Sequence, residues 1–212
     1  MAISGSTETR VFQFPIIHSW KNIIFLDVDG VLNCQIFYTE YFEHLQRYDK
    51  IPFYKTVKKH LRKLVKKKDI SRMAYYQSQM DVKRIGWLNT LCEETNSAVV
   101  LSASMRGGKS VQDLNKIFQY CGATFTIIGK TGHSQDRIRG VEILNWIKDN
   151  SMRWFGVNYY DFYRYAIIDD DSDMLLWQQH NFFKTDNYSG LTPNTCYKIK
   201  NFFTHKTFHY ND

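Results

Sequence analysis

Short apolar runs alternate with amphipathic stretches along most of the chain. Ile23, Ile24, Phe25 and Leu26 stand in an uninterrupted apolar run of strand length. Lacking the polar alternation of a half-exposed strand, the run predicts one buried on both faces of a parallel sheet. "SAVVLS", "TFTII" and "YAII" predict three more strands of this kind. Between them, Ile85, Leu88, Leu91 and Cys92 in "DVKRIGWLNTLCEET" recur at helical spacing. Ser110 predicts the N-cap of a helix "VQDLNKIFQYC" that Gly122 ends, "GVEILNWIKD" predicts another, and Thr192 with Pro193 opens a last one through "NTCYKIKNFF". Strands alternating with helices imply parallel crossovers. The predicted fold class is therefore α/β, a Rossmann-like doubly wound parallel sheet. No internal repeat or low-complexity linker interrupts it.

The alternation breaks once, after the first strand. Residues 34–80 carry nine Phe or Tyr and a surplus of basic over acidic residues equal to the +7 of the whole chain. This segment reads as a small, partly helical, cap-like insertion within a single domain spanning 1–212. In "KTVKKHLRKLVKKK", residues 55–68, Val57, Leu61, Leu64 and Val65 share a helical face and lysines surround it. Such a helix is either a solvated cover for the core or a dock for phosphate-rich or acidic partners.

Composition narrows the class. An aromatic share of 16% argues against disorder of the whole chain. Cys34, Cys92, Cys121 and Cys196 form no CxxC pair, which argues against a zinc site or a secreted disulfide framework and for a reducing, cytoplasmic compartment. The N-terminal "MAISGSTETRVFQFPIIHSW" has no basic n-region, and no stretch reaches about 18 apolar residues. Neither a signal peptide nor a membrane span is expected.

Candidate chemistry lies at the strand ends. The first strand runs into Asp27-Val28-Asp29-Gly30, and side chains two apart on an extended chain point the same way. Two carboxylates so close call for a cation, a shared proton or a phosphate-handling role. Taken in order, "LDVDGVLN", "VVLSASMR", "QDRIRGVEI" and "AIIDDDSD" resemble the four motifs of the haloacid dehalogenase (HAD) superfamily of phosphotransferases. "LDVDGVLN" with "VLSASMR" further resembles a small HAD group that includes phosphatase domains attached to RNA-repair proteins, with Met105 standing where that group usually carries Trp.

The resemblance implies a Mg²⁺-dependent phosphatase that hydrolyses a phosphomonoester through an aspartyl-phosphate. Asp27 becomes the nucleophile. Asp29 becomes the general acid and base, its backbone carbonyl helping to bind the metal. Asp169 and Asp170 complete a metal set with Asp27 and Asp29, Asp170 in direct contact and Asp173 behind. Ser102 would donate to a phosphoryl oxygen. Arg139 would stabilise the developing charge, with Arg137 and Lys130 as substitutes. Gly30 permits a turn or close approach, while Arg106 and Arg137 are the expected grips on substrate and His133 a further contact. Each residue type has a commoner structural use. Their joint occurrence in this order is what points to phosphoryl transfer.

An open site suits a macromolecular substrate, first a phosphoprotein, phosphotyrosine in particular, and as the alternative a 3′- or 5′-phosphorylated nucleic-acid end running its backbone along the lysines; a small phosphorylated metabolite is a third fit. Two other classes compete. "ASMRGGKS", residues 103–110, differs from a P-loop only in Ala103, which would make the chain an NTPase or kinase. A HAD-like scaffold that binds a partner without catalysis is the other.

Overall fold

The computed structural model describes residues 20–46, 63 and 71–205. Among these, five strands form one sheet: β1 (Asn22–Leu26), β2 (Ser97–Leu101), β3 (Ile127–Lys130), β4 (Tyr165–Asp169) and β5 (Phe182–Lys184). Their order is β3-β2-β1-β4-β5, and every pairing is parallel. The chain steps outward from β1 to β3, then crosses back to place β4 on the other side of β1. That reversal makes the C-terminal ends of β1 and β4 the place where a doubly wound sheet opens a ligand crevice.

Six helices accompany the sheet among the described residues: α1 (Gln35–Gln46), α2 (Arg72–Gln77), α3 (Val82–Thr95), α4 (Val111–Tyr120), α5 (Arg139–Phe155) and α6 (Pro193–His205). The first two fall within the 34–80 segment. The basic helix expected at 55–68 lies outside the described residues, apart from Lys63.

The uninterrupted apolar run of β1 follows from the two layers around it. Ile24 and Leu26 join Val99, Leu101 and Ile168 under Leu88, Leu114 and Ile199 from α3, α4 and α6. Ile23 and Phe25 turn the other way, to Ile143, Trp146 and Ile147 of α5. Phe25 meets Trp146 edge-on at 5.5 Å and Tyr165 at 5.8 Å. Each such side chain, fully buried, contributes about 1.5–3 kcal/mol.

Helix ends follow local chemistry. Ser110 caps α4 in a reciprocal box with Asp113, as its position before the apolar periodicity predicts. Asp81 accepts from the N–H of Lys83 at 2.9 Å to start α3. Three elements differ from the sequence reading. Strand β3 starts at Ile127 instead of Thr124, because Phe125 turns into the core against Phe118 and the register with β2 shifts between Val99 and Val100. Helix α5 runs on to Phe155, since Trp154 and Phe155 still pack on the second core cluster, and Gly156 stops it at φ 67°. Strand β5 was not expected; it has three residues, and none is fully buried. No described helix is long and apolar enough to cross a membrane, and all four cysteines are free thiols.

Candidate active site

Asp27 is the first residue beyond β1, and its N–H extends the ladder to the carbonyl of Ile168 at 3.0 Å. Asp169 is the last residue of β4, fully buried, and Asp170 follows it. Parallel pairing of β1 with β4 thus brings residues from distant parts of the sequence to one spot. One carboxylate oxygen from each of Asp27, Asp169 and Asp170 lies within 4.8 Å of the others. The side chain of Asp29 stays out of this triad. Its Oδ1 accepts from Asn33 Nδ2 at 2.8 Å.

The electrostatics of the triad are those of crowded acids in a dry place. Burial first, then the charge of Asp169, raises Asp27 well above the usual carboxylate range, against the pull of Arg139. Burial likewise pushes Asp169 up to about 6, again opposed by Arg139, and raises Asp170.

Arg139 opens α5 and reaches back into the cluster. Its Nη2 donates to Asp27 Oδ1 at 3.2 Å, its Nε lies 3.1 Å from Asp169 Oδ2, and its Nη1 donates to the carbonyl of Ser102. The Nε–Oδ2 approach is an ion pair and not a hydrogen bond, and both atoms are buried without a hydrogen-bond partner. Asp173 holds the first turn of this helix, accepting from the N–H of Arg139 at 2.7 Å. The other two basic candidates go elsewhere. Lys130 donates to the carbonyl of Lys109 at 2.5 Å, and Arg137 stands exposed with φ 54° and takes no part in these contacts.

Arg106 departs from the expected grip on substrate. It is 3% exposed. Its guanidinium donates to the carbonyls of Thr131 at 2.9 Å, Ala103 at 2.9 Å, Gly132 at 3.0 Å and Ser102, and to Glu142 Oε2 at 2.5 Å. The five N–H donors of an arginine are thereby committed to the protein. Arg106 instead ties the loops after β2 and β3 to α5. His133 is exposed and lies 3.2 Å from Arg106 Nη2. Ser102 is fully buried at the end of β2, and its hydroxyl has no hydrogen-bond partner.

A divalent cation fits these residues. The triad carries three carboxylates against one guanidinium, an excess of two negative charges, and all its donors are hard oxygens of the kind Mg²⁺ prefers. Asp169 Oδ2 is a buried acceptor without a hydrogen bond. Because the folded pKa of Asp169 exceeds its unfolded value, this group costs the fold stability as pH rises from about 4 through about 6. Urea midpoints of the metal-free protein should therefore carry a larger destabilising contribution at pH 7.5 than at pH 5, and Mg²⁺ should offset more of it at the higher pH. A Mg²⁺ effect equal at both pH values would count against the triad as its site.

Gly30 is where the first motif turns. At φ 78° its backbone suits glycine, and a Cβ there would sit 2.3 Å from the Asp170 carboxyl carbon. Gly30→Ala should displace Asp170 and weaken Mg²⁺ binding, read by titration calorimetry, at least tenfold. Unchanged affinity would show that Asp170 is not a ligand.

Several supporting residues escaped the sequence reading. Asn33 is buried; its Nδ2 donates to Asp29 and to the Gln79 carbonyl at 2.8 Å each, and its Oδ1 accepts from the N–H of Gly30. Its place four residues after Asp29 in "DGVLN" was the available signal. Glu142, paired with Arg106, and Thr185, donating to the Gly30 carbonyl at 2.9 Å, gave none. Beside Asp29 opens a cleft of about 280 Å³.

The P-loop-like stretch has a different use. Ser104–Arg106 form a short 3₁₀ turn, and Lys109 donates to the Met105 carbonyl at 2.6 Å. Neither a curated protein nor a solved structure matches the chain. The family model of the HAD domain in Swiss Army Knife RNA repair proteins matches residues 23–196. That span holds the acidic triad, Ser102 and Arg139 in the order the four motifs require, and the chain belongs to this HAD domain family.

Proposed function

We propose that the protein is a Mg²⁺-dependent phosphatase that removes a terminal phosphate from nucleic acid. The observation that carries this reading is the meeting of Asp27, Asp169, Asp170 and Arg139 at the switch point of the sheet. Membership of a domain family found in RNA repair proteins favours nucleic-acid ends over phosphoprotein.

Asp27 attacks phosphorus, the bond to the leaving oxygen breaks, and Asp29 supplies that oxygen's proton. Asp29 then takes a proton from water as the water oxygen bonds to phosphorus and the bond to Asp27 breaks, which frees phosphate and restores the Asp27 carboxylate. Asn33 keeps the Asp29 carboxylate turned toward the cleft. Ser102 and Arg139 donate to the phosphoryl oxygens as charge spreads over them. Asp27, Asp169, Asp170 and the Asp29 carbonyl hold Mg²⁺, which when bound offsets the repulsion between the carboxylates and the substrate's charge. The described end of the 34–80 segment acts as a side wall, with Tyr75, Tyr76 and Gln79 lining the cleft beside Asp29.

The test is phosphate release, with Mg²⁺ and with EDTA, from 3′- and 5′-phosphorylated oligonucleotides, phosphotyrosine and phosphoserine peptides, sugar phosphates and ATP. Metal-dependent release that is fastest from an oligonucleotide end is the expected result. Preference for a phosphotyrosine peptide would transfer the reading to phosphoprotein. No release from any substrate would favour a binding scaffold.

A further inference from the structure

The cleft of about 280 Å³ has Asp29 on its wall, two residues along the chain from Asp27, together with Asn33, Tyr75, Tyr76, Met105 and Lys109. A general acid must lie within hydrogen-bond reach of the oxygen it protonates. Whatever leaves phosphorus therefore occupies the space next to Asp29, which makes this cleft the leaving group's compartment.

Its size and lining restrict that group. The volume falls just below the roughly 300–1,000 Å³ typical of small-ligand sites, about the size of one nucleoside. Tyr75 and Tyr76 project from α2 with ring centroids 5.6 Å apart and planes inclined at 63°, and Tyr76 is anchored by packing on the core. They offer a flat partner an aromatic wall. Lys109 Nζ lies 5.5 Å from the Tyr76 centroid and 2.6 Å from the Met105 carbonyl. An ammonium has three donors, so others remain for an anion. A cation beside an aromatic wall matches a base next to a phosphodiester. The phenol released from phosphotyrosine brings no such anion of its own.

We propose that this cleft holds the terminal nucleoside of the strand, its base against Tyr75 and Tyr76 and its next phosphodiester on Lys109. The inference rests on the nucleic-acid phosphatase reading and adds which part of the substrate the chain recognises.

The experiment compares steady-state phosphate release by the full chain from a phosphorylated oligonucleotide and from the same strand with an abasic terminal residue. Loss of the base should lower kcat/KM about tenfold, mainly through KM, in the range of base–aromatic stacking. Tyr76→Leu, and separately Tyr75→Leu, should shrink that ratio toward one. Lys109→Gln should reduce the slope of log kcat/KM against log salt by about one. Should a tyrosine variant fail to fold, the two substrates on the unaltered protein still decide. Equal kcat/KM for intact and abasic ends would overturn the base subsite while leaving the phosphatase reading in place. Release from phosphotyrosine peptides with none from any oligonucleotide would overturn both.

Discussion

Asp27→Asn is expected to lower phosphate release on the order of 10⁴-fold or more, the usual result of removing a nucleophile from a catalytic unit, with no loss of folded protein. The amide has nearly the shape of the carboxylate and still accepts from Arg139, but its nitrogen and carbonyl oxygen do not form the acyl phosphate. The stability expectation has an opposite sign to most core substitutions. Burial and the neighbouring Asp169 disfavour the charge of Asp27 in the fold, so losing that charge relieves repulsion that Arg139 only partly offsets. The metal-free variant should melt at or above the temperature of the unaltered protein at pH 7.5. With Mg²⁺ the order should reverse, since the variant offers a poorer ligand. Turnover within tenfold of the unaltered protein would remove Asp27 as nucleophile. A variant that melts lower without metal would show that its carboxylate stabilises the fold.

The contrast between what the chain reveals in one dimension and in three follows the range of the interactions. Strand β1 was readable because burial on both faces forces an unbroken apolar run, and Asp27 was readable because it ends that run. The adjacency of Asp27 and Asp169 depends on Leu26 pairing with Ile168 across the sheet. The alternation of strands and helices implies a parallel sheet but gives no register. Arg139 could be preferred over Arg137 and Lys130 because it stands near a helix start, yet only the fold turns Lys130 to the Lys109 carbonyl instead. The loop-tying contacts of Arg106 are hidden in the sequence for the same reason. Its partner Glu142 lies 36 residues away, and nothing local distinguishes an arginine that grips substrate from one that ties loops to a helix. Strand β5, half-exposed and three residues long, carries too little pattern to announce itself.

Arg139→Ala should produce two separable losses. The first is stability: Asp27 and Asp169 would keep their burial and lose their compensating charge, a change that costs about 3–5 kcal/mol when one partner of a buried pair is removed. Some of this is recovered as the carboxylates take up protons, so the loss should be larger at pH 7.5 than at pH 5. The second is chemistry. A guanidinium on the transferring phosphoryl group is worth roughly 10³–10⁵ in rate where an arginine plays this part, and turnover should fall by about 10³ even where the protein is folded. Mg²⁺ distinguishes the two, because it supplies positive charge to the carboxylates without replacing donors aimed at the phosphoryl oxygens. Saturating Mg²⁺ should restore most of the melting temperature of Arg139→Ala and little of its turnover. Arg139→Lys should lie between, since a single ammonium cannot reach Asp27, Asp169 and the Ser102 carbonyl together as the planar fork does. If turnover of Arg139→Ala instead returns with the fold when Mg²⁺ is added, Arg139 serves only to hold the carboxylates in place, and the charge on the transferring phosphate must be met by other donors at the site.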